Sequence, residues 1–183
     1  MALFHRVTII GLGLIGGSLG MALKRRRLAK TVVGYSRKPA TLRAAKRRGA
    51  IHIGATNLRD AVRNADLVVL ATPVDLIVPM ARQAARYCRR SAILTDVGST
   101  KGHIIQSLER SLPRHVSFVG AHPIAGSEQR GIEAASSDLF PGAVVIKEIG
   151  NFWSYVPLLL AAVPIWAAVL DALGGYRDLR LRT

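Results

Sequence analysis

A glycine-rich loop directly after a short apolar run constrains the fold of this chain more than any other feature. Residues 6–10 (RVTII) have the composition of a buried strand, and GLGLIGGS follows at residues 11–18. In this G-x-G-x-x-G pattern Gly11 permits a tight turn, Gly13 lets the backbone approach a pyrophosphate, and Gly16 allows the helix to pack closely on the strand. A turn without a ligand is the alternative. The pattern predicts a dinucleotide site whose loop consists of Gly11, Leu12, Gly13, Leu14, Ile15 and Gly16.

Five further apolar runs follow within the first 146 residues, with helical stretches between them. They comprise residues 31–35, 67–71, 92–96, 118–121 and 143–146. Runs that are apolar throughout are typical of parallel strands buried on both faces, and the intervening helices fit right-handed crossovers. Residues 39–48 open with proline and stop before Gly49, as a helix should. We therefore expect one α/β domain, residues 1–146, with a doubly wound, mostly parallel sheet of the Rossmann type.

Residues 147–183 form an apolar tail whose composition differs from that of the preceding domain. Residues 152–170 carry no charge, are long enough to cross a bilayer, and precede three arginines. Pro157, Pro164 and the soluble domain before them favour a buried or poorly folded tail instead. We therefore expect no membrane association, and a membrane-spanning segment remains the alternative.

The charge of the chain attracts anions but does not by itself select one. Lys and Arg number 26 against 11 Asp and Glu, a formal net charge of +15. Nucleic acid, a phosphorylated cofactor and plain solvated surface arginines all fit such a charge. Aromatic residues make up only 5% of the chain, and neither zinc-finger spacing nor basic heptads occur. We therefore expect no nucleic-acid partner.

The cysteine content and the amino terminus indicate a cytoplasmic protein without a metal. The single cysteine, Cys88, cannot form an internal disulfide, and no cluster of cysteine and histidine suggests a metal site. We expect Cys88 to be a small buried hydrophobic residue. Residues 1–10 run directly into the first strand and lack the apolar region and cleavage site of a signal peptide.

Residues at the ends of the second and third runs indicate the cofactor. An NAD site usually has an acidic residue at the end of the second strand for the ribose 2′-hydroxyl, whereas this chain has Ser36, Arg37 and Lys38. A hydroxyl and two cations suit a 2′-phosphate, which favours NADP over NAD, although ordinary loop charges are the alternative. Thr72 and Pro73 directly follow the run 67–71, at the carboxyl end of a predicted strand, where the chain would face the nicotinamide. An ordinary strand-to-helix turn is the alternative.

Two more loops bring reactive side chains to the same predicted edge of the sheet. They read DVGSTK at residues 96–101 and GAHPIAGSE at residues 120–128. His122 lies in a loop rich in Gly, Pro and Ser, and an imidazole can accept the proton of a substrate hydroxyl near neutral pH. Ser99 either orients that group or caps the following helix, and Glu128 either binds a polar substrate or stabilises a helix terminus. We predict His122, Ser99 and Glu128 as the catalytic residues.

These motifs, together with ATPV at residues 71–74 and DLFPGA at residues 138–143, resemble the prephenate/arogenate dehydrogenases of tyrosine biosynthesis. The resemblance covers about residues 5–146, and HPIAGSE is far more specific than the glycine loop. It implies an NAD(P)-dependent oxidative decarboxylation of prephenate or arogenate, without deciding between them. It further implies that His122 contacts the substrate hydroxyl and that Ser99 supports both His122 and the substrate. Glu128 would lie at the mouth of the active site.

The resemblance also implies a helical domain after residue 146. In the family that domain provides a homodimer interface, part of the active site and a basic residue for a substrate carboxylate. Residues 147–183 do not match it, and we interpret them as a remnant or a replacement, as a truncated or frame-altered gene would produce. Two alternatives follow: a non-catalytic NADP-binding fragment, or another Rossmann oxidoreductase of the β-hydroxyacid dehydrogenase type.

Overall fold

The alternation of apolar runs and helical stretches produces a seven-stranded sheet. The computed structural model describes residues 2–100, 102–124, 128–140 and 144–148. The strands are β1 (Phe4–Ile10), β2 (Ala29–Tyr35), β3 (Ile53–Ala55), β4 (Leu67–Leu70), β5 (Ala92–Asp96), β6 (Val116–Ile124) and β7 (Val144–Glu148). The helices are α1 (Leu14–Arg25), α2 (Pro39–Arg47), α3 (Leu58–Val62), α4 (Val74–Ala85) and α5 (Gly102–Glu109).

The strand order is β3-β2-β1-β4-β5-β6-β7. Every pair from β3 to β6 is parallel, and only β7 runs antiparallel to its neighbour β6. The chain thus winds outward twice from β1, once in each direction. This arrangement confirms the doubly wound, mostly parallel sheet of the Rossmann type.

Alternation of side chains along the buried strands divides the core into two layers. On one face of the sheet, Ile9 packs in a cluster with residues of α1 and α2, one of which is Leu23. On the other face, Ile10 packs in a cluster with residues of α3, α4 and α5, which include Ile77 and Leu108. Each of these side chains is at most 1% exposed, and such burial stabilises the fold by about 1.5–3 kcal/mol per residue. The helical layers on both faces explain why the strands are apolar throughout.

Helix α2 forms where the sequence predicts it. It begins at Pro39, in its first turn, and ends at Arg47. Gly49 follows with a φ of +74°, a left-handed conformation that a glycine adopts without strain. The helix is therefore delimited by the proline and the glycine that the sequence shows.

The sheet differs from the sequence prediction at both edges. The short edge strand β3 was missed, because its three residues pair only with β2 and Ile53 is 46% exposed. Residues 144–146 of the predicted run at 143–146 lie in β7, which continues to Glu148. Composition does not specify the direction of a strand, and β7 pairs with β6 in the antiparallel direction. The same pairing extends β6 to Ile124, beyond the predicted end at residue 121.

Residues 128–140 return across the face of the sheet that carries α1 and α2. A short 3₁₀ turn, Ile132–Ala134, packs on α1, and a Cβ atom added at Gly17 would lie 2.4 Å from the Ile132 Cδ1. The Ser136 N–H donates a 2.9 Å hydrogen bond to the Ser18 Oγ, and Phe140 is buried in the same cluster. This segment therefore closes the core on that side.

Residues 149–183 lie outside the described part of the chain. The domain boundary at residue 146 and the state of the apolar segment 152–170 consequently stay predictions. Among the described residues, none of the helices has the length and apolar character needed to cross a membrane. Cys88 is buried, at 8% exposure, as predicted.

Candidate nucleotide-binding and active site

The direction of winding reverses between β1 and β4, and the loops that follow these two strands meet there. Crossovers diverge from this point, so it leaves a crevice at the carboxyl ends of the strands, where open α/β sheets bind ligands. A Cβ atom added at Gly11 would lie 2.4 Å from the main-chain oxygen of Ala71. The glycine loop and the loop of Thr72 and Pro73 thus form the two sides of one crevice.

The three glycines of the motif have different structural roles. Gly11 has a φ of +98°, in the region that favours glycine. A Cβ atom at Gly16 would lie 2.0 Å from the Gly11 oxygen, so Gly16 permits the predicted close packing of α1. A Cβ atom at Gly13 would meet no atom within 4 Å. Among the described residues the space above Gly13 is therefore open, which is what a ligand approaching the backbone requires.

The start of α1 presents main-chain donors to this crevice. Gly13 is the N-cap and no side chain caps the helix, so the first N–H groups lack an intrahelical partner. The first turn contains no acidic residue that would repel an anion. Leu14 and Ile15 are half-buried in this turn. The side chain of Leu12, in contrast, is only 5% exposed and packs in the core, so Leu12 can offer a cofactor only its main chain.

Thr72 adds a polar atom to the opposite side of the crevice. Its Oγ1 is buried and has no hydrogen-bond partner among the described residues. A buried hydroxyl without a partner is costly, and a bound ligand is one way to satisfy it. Pro73, which is exposed, is the N-cap of α4 and begins the helix that leaves the crevice.

The loop after β2 is fixed by its own hydrogen bonds and exposes two cations. The Lys38 N–H donates to the Ser36 Oγ over 3.2 Å, and the Ser36 N–H donates to the Ala55 oxygen over 3.2 Å. The side chains of Arg37 and Lys38 are exposed. Within the described part of the chain neither makes an ion pair, so both charges remain available to an anion.

Asp96 connects the two loops that carry the predicted reactive residues. Its side chain is fully buried, and its Oδ2 accepts a hydrogen bond from the Gly98 N–H over 2.9 Å. Its Oδ1 accepts from the Ala121 N–H over 3.3 Å. Sequence reasoning did not single out Asp96, although an acidic residue that ends the apolar run AILTD was a usable signal.

His122 lies in a strand, not in the loop that the sequence predicted. Gly120 is paired with Asp96, so His122 lies two residues past the end of β5 and is paired only with Ile146 of β7. Alternation puts its Cβ on the same face as the side chain of Phe118, toward α4 and α5. The imidazole is half-buried. His122 therefore projects beyond β5 at the carboxyl edge of the sheet.

Ser99 and Glu128 are exposed and lie in the segments that follow β5 and β6. Residues 101 and 125–127 lie outside the described part, so neither the predicted capping of α5 nor the geometry between His122 and Glu128 is tested. The described residues contain no cluster of three or more His, Cys, Asp or Glu side chains that could hold a metal ion.

A family model described as prephenate dehydrogenase, nucleotide-binding domain, matches residues 19–147. The match covers β2 to β7 and more than half of the chain. The chain belongs to the prephenate dehydrogenase family. This membership confirms the resemblance and favours it over the β-hydroxyacid dehydrogenase alternative.

Individual relatives agree with the family assignment. A prephenate dehydrogenase of Bacillus subtilis is 36% identical over 146 residues, covering 79% of this chain and 39% of the relative. A crystal structure of prephenate dehydrogenase from A. aeolicus, in complex with hydroxyphenyl propionate and NAD+, superposes with a TM-score of 0.82 at 30% identity and covers 95% of this chain and 59% of that one. The crystal structure of Synechocystis arogenate dehydrogenase superposes with a TM-score of 0.81 at 31% identity, and the match covers 93% of this chain and 58% of that one. The chain thus spans about half the length of the relatives that it matches.

The family motif at residues 138–143 has a structural role in the described residues. The Asp138 carboxylate pairs with the Arg25 guanidinium over 2.6 Å, but both side chains are more than 60% exposed. Such an exposed pair contributes little to stability. The buried Phe140 instead anchors the motif to the core. In this member of the prephenate dehydrogenase family, residues 138–140 of the motif thus hold the segment after β6 over α1, and residues 141–143 lie outside the described part of the chain.

Proposed function

We propose that this chain binds NADP and forms the cofactor-binding part of an enzyme that oxidatively decarboxylates prephenate or arogenate in tyrosine biosynthesis. The observation that carries the proposal is the meeting of the glycine loop, Thr72 and the ends of β5 and β6 at one sheet edge. Membership in the prephenate dehydrogenase family supports the choice of reaction. The division into a domain of residues 1–146 and a distinct tail is part of the proposal.

The residues present fit a dinucleotide. The uncapped start of α1 and the open space above Gly13 suit a pyrophosphate, and the unpartnered Thr72 hydroxyl offers a hydrogen bond on the nicotinamide side. The exposed cations Arg37 and Lys38 suit the 2′-phosphate of NADP, and no acidic side chain stands in that loop to accept a ribose hydroxyl. The relative from A. aeolicus was crystallised with NAD+, so the proposal of NADP for this chain depends on this chain's own loop after β2.

The proposed chemistry assigns one task to each residue at the edge. A bound nicotinamide would supply the acceptor for the hydride that leaves the ring carbinol carbon of the substrate. His122 accepts the hydrogen bond, and then the proton, of the substrate hydroxyl as the carbonyl forms. Loss of carbon dioxide then returns an electron pair to the ring, so the ring becomes aromatic and the carbonyl oxygen becomes a phenol oxygen that takes the proton back from His122. Aromatisation supplies the driving force. Ser99 orients His122 and the substrate, and Glu128 lies at the mouth, so the protein mainly positions groups and handles one proton.

Calorimetric titration with NADP and NAD is the first test. We expect NADP to bind more tightly, and Arg37→Ala to weaken NADP binding by about tenfold while leaving NAD unchanged, because it removes a charge-assisted contact to the 2′-phosphate. Arg47→Ala, an exposed arginine in the last turn of α2, is the matched control. Tighter binding of NAD, or binding of neither cofactor, would overturn the NADP assignment.

Turnover is tested separately, by following the reduced cofactor with prephenate and with arogenate. We expect His122→Asn to lower kcat by at least about a hundredfold without weakening the binding of NADP, since it removes the proton acceptor. Cofactor binding without turnover of either substrate would favour a non-catalytic NADP-binding protein. Turnover by His122→Asn at the normal rate would refute the assigned role of the histidine.

A further inference from the structure

The positive charge of the chain is concentrated in its first third. Residues 1–59 contain thirteen Lys and Arg and no Asp or Glu, whereas the remaining residues contain thirteen Lys and Arg and eleven Asp and Glu. The acid-free segment builds β1, α1, β2, α2 and β3. Spread evenly, such charges would be ordinary solvated residues. The fold instead gathers several of them around one cavity.

This cavity is an open cleft of about 500 Å³ at the amino-terminal edge of the sheet, below the end of α1. Its size is in the range of small-molecule sites. Four of its seven lining residues are cations and none is acidic; they are Ala2, Lys24, Arg26, Arg27, Ala29, Lys30 and His52. The glycine loop lies at the other end of α1, about 18 Å away for a helix of twelve residues. The cleft is therefore separate from the proposed cofactor site.

Main-chain contacts hold two of the lining side chains in place. The Lys24 Nζ donates to the Ile51 oxygen over 3.1 Å, which tethers the ammonium at the cleft. The Val32 N–H donates to the His52 Nδ1 over 2.9 Å, so the neutral ring carries its proton on Nε2. The cleft thus has two positioned donors before any ligand arrives, which lowers the entropic cost of binding.

Arg27 occupies a position that usually belongs to glycine. Its φ is +55°, and it closes α1 with the Leu28 N–H bonded to the Leu23 oxygen and its own N–H bonded to the Lys24 oxygen. In this helix ending the left-handed residue is most often glycine, because a Cβ is strained there. Strained residues are found at binding sites among other places, and here the strained residue is a cation of the cleft.

The electrostatics of the cleft favour an anion. Burial lowers the pKa of Lys24, and burial together with the charge of Lys24 lowers the pKa of His52. Both groups are thus less easily protonated than in water. A bound anion would offset the charge of Lys24 that disfavours protonation of His52, and it would form charge-assisted hydrogen bonds with several donors at once.

We propose that this cleft binds a small molecule bearing a phosphate or diphosphate group, at a site independent of the proposed dehydrogenase reaction. Arg26, Arg27 and Lys30 supply exposed cations, while Lys24 and the Nε2–H of His52 supply the positioned donors. The alternative explanation for these cations is that they only stabilise the negative end of the α1 dipole, without binding a ligand.

The histidine is a built-in reporter for the test. The imidazole resonances of His52 are followed by NMR while inorganic phosphate, and then pyrophosphate, is added to the 183-residue chain at constant ionic strength. We expect a saturable shift and a raised pKa for His52, with His115 unaffected. Arg26→Ala should weaken binding by about tenfold, and the control Arg110→Ala should not. A shift that is linear in concentration, or the same at both histidines, would show charge screening only and overturn the proposal.

Arg27→Gly separates ligand binding from folding. Glycine relieves the left-handed strain, so this variant should unfold at a higher temperature than the parent while binding pyrophosphate about tenfold more weakly. If it gains stability and binds pyrophosphate as tightly as the parent, the arginine has no role in an anion site. Because His52 and not cofactor binding is read out, failure of the NADP proposal leaves this result interpretable.

Discussion

The Oδ1 of Asp96, at the end of β5, accepts a hydrogen bond from the Ala121 N–H in β6 over 3.3 Å. The Oδ2 of the same carboxylate accepts from the Gly98 N–H. Ala121 directly precedes His122, and Gly98 directly precedes Ser99. One buried carboxylate thus fixes the backbone beside both residues that we propose to act on the substrate.

Replacing this carboxylate should therefore loosen the edge of the sheet. In Asp96→Asn one acceptor oxygen becomes an NH₂ donor, so at least one of the two N–H groups loses its partner inside the protein. We expect a loss of about 1–3 kcal/mol in the free energy of unfolding, measured by urea denaturation. Asp75→Asn, at an exposed position in the first turn of α4, is the control. Equal losses in the two variants would contradict the bridging role of Asp96.

The glycine loop allows folding and cofactor binding to be separated. Gly13→Ala places a methyl group in open space, so its stability should stay within about 0.5 kcal/mol of the parent, while NADP affinity should fall because the methyl group blocks the approach of the pyrophosphate. Gly16→Ala places its methyl group 2.0 Å from the Gly11 oxygen and should destabilise the fold itself. Thermal unfolding and calorimetry distinguish the two effects. Unchanged NADP binding by a folded Gly13→Ala variant would argue against the proposed pyrophosphate position.

Burial makes Cys88 both unreactive and a source of pH dependence. It raises the pKa of the thiol from 9.0 to about 12, because the thiolate is disfavoured in the core. The stability that comes from the neutral thiol is complete below pH 9 and is lost as the pH rises from 9 toward 12, since the unfolded chain ionises first. We expect Cys88→Ala to lose less stability than the parent over this interval, as measured by urea denaturation. Modification of the folded parent by a thiol reagent at pH 8 would contradict the burial.

Lys24 and His52 provide a second pH dependence. Burial and the charge of Lys24 lower the pKa of His52 below 6.5, so folding loses stability as the pH falls through this range because the unfolded chain binds the proton more readily. Protonation of the Nδ1 would also break the bond from the Val32 N–H. We expect Lys24→Met to raise the pKa of His52, read from its NMR titration. Arg110→Met controls for net charge, and equal pKa changes in both variants would exclude a local effect.

Much of the fold could be read from the sequence because it depends on local chemistry. The apolar runs at 6–10 and 92–96 form strands, and α2 begins at Pro39 and ends before Gly49, because composition and backbone preference act on each segment alone. The sequence did not predict the edge strand β3, because it has only three residues and Ile53 is largely exposed. These residues adopt a strand conformation only by pairing with β2.

In the candidate site, too, the features that the sequence predicted are local, and the others depend on tertiary contacts. The glycine loop, the cations after β2 and the motif around His122 are contiguous in sequence, so the sequence by itself indicated the family and the edge of the sheet that would bind a cofactor. Only the tertiary structure placed His122 in a strand, joined Asp96 to Ala121, and brought His52 to the cations at the end of α1. These relationships depend on pairing and burial between residues far apart in the chain, and no pattern of neighbouring residues specifies such contacts.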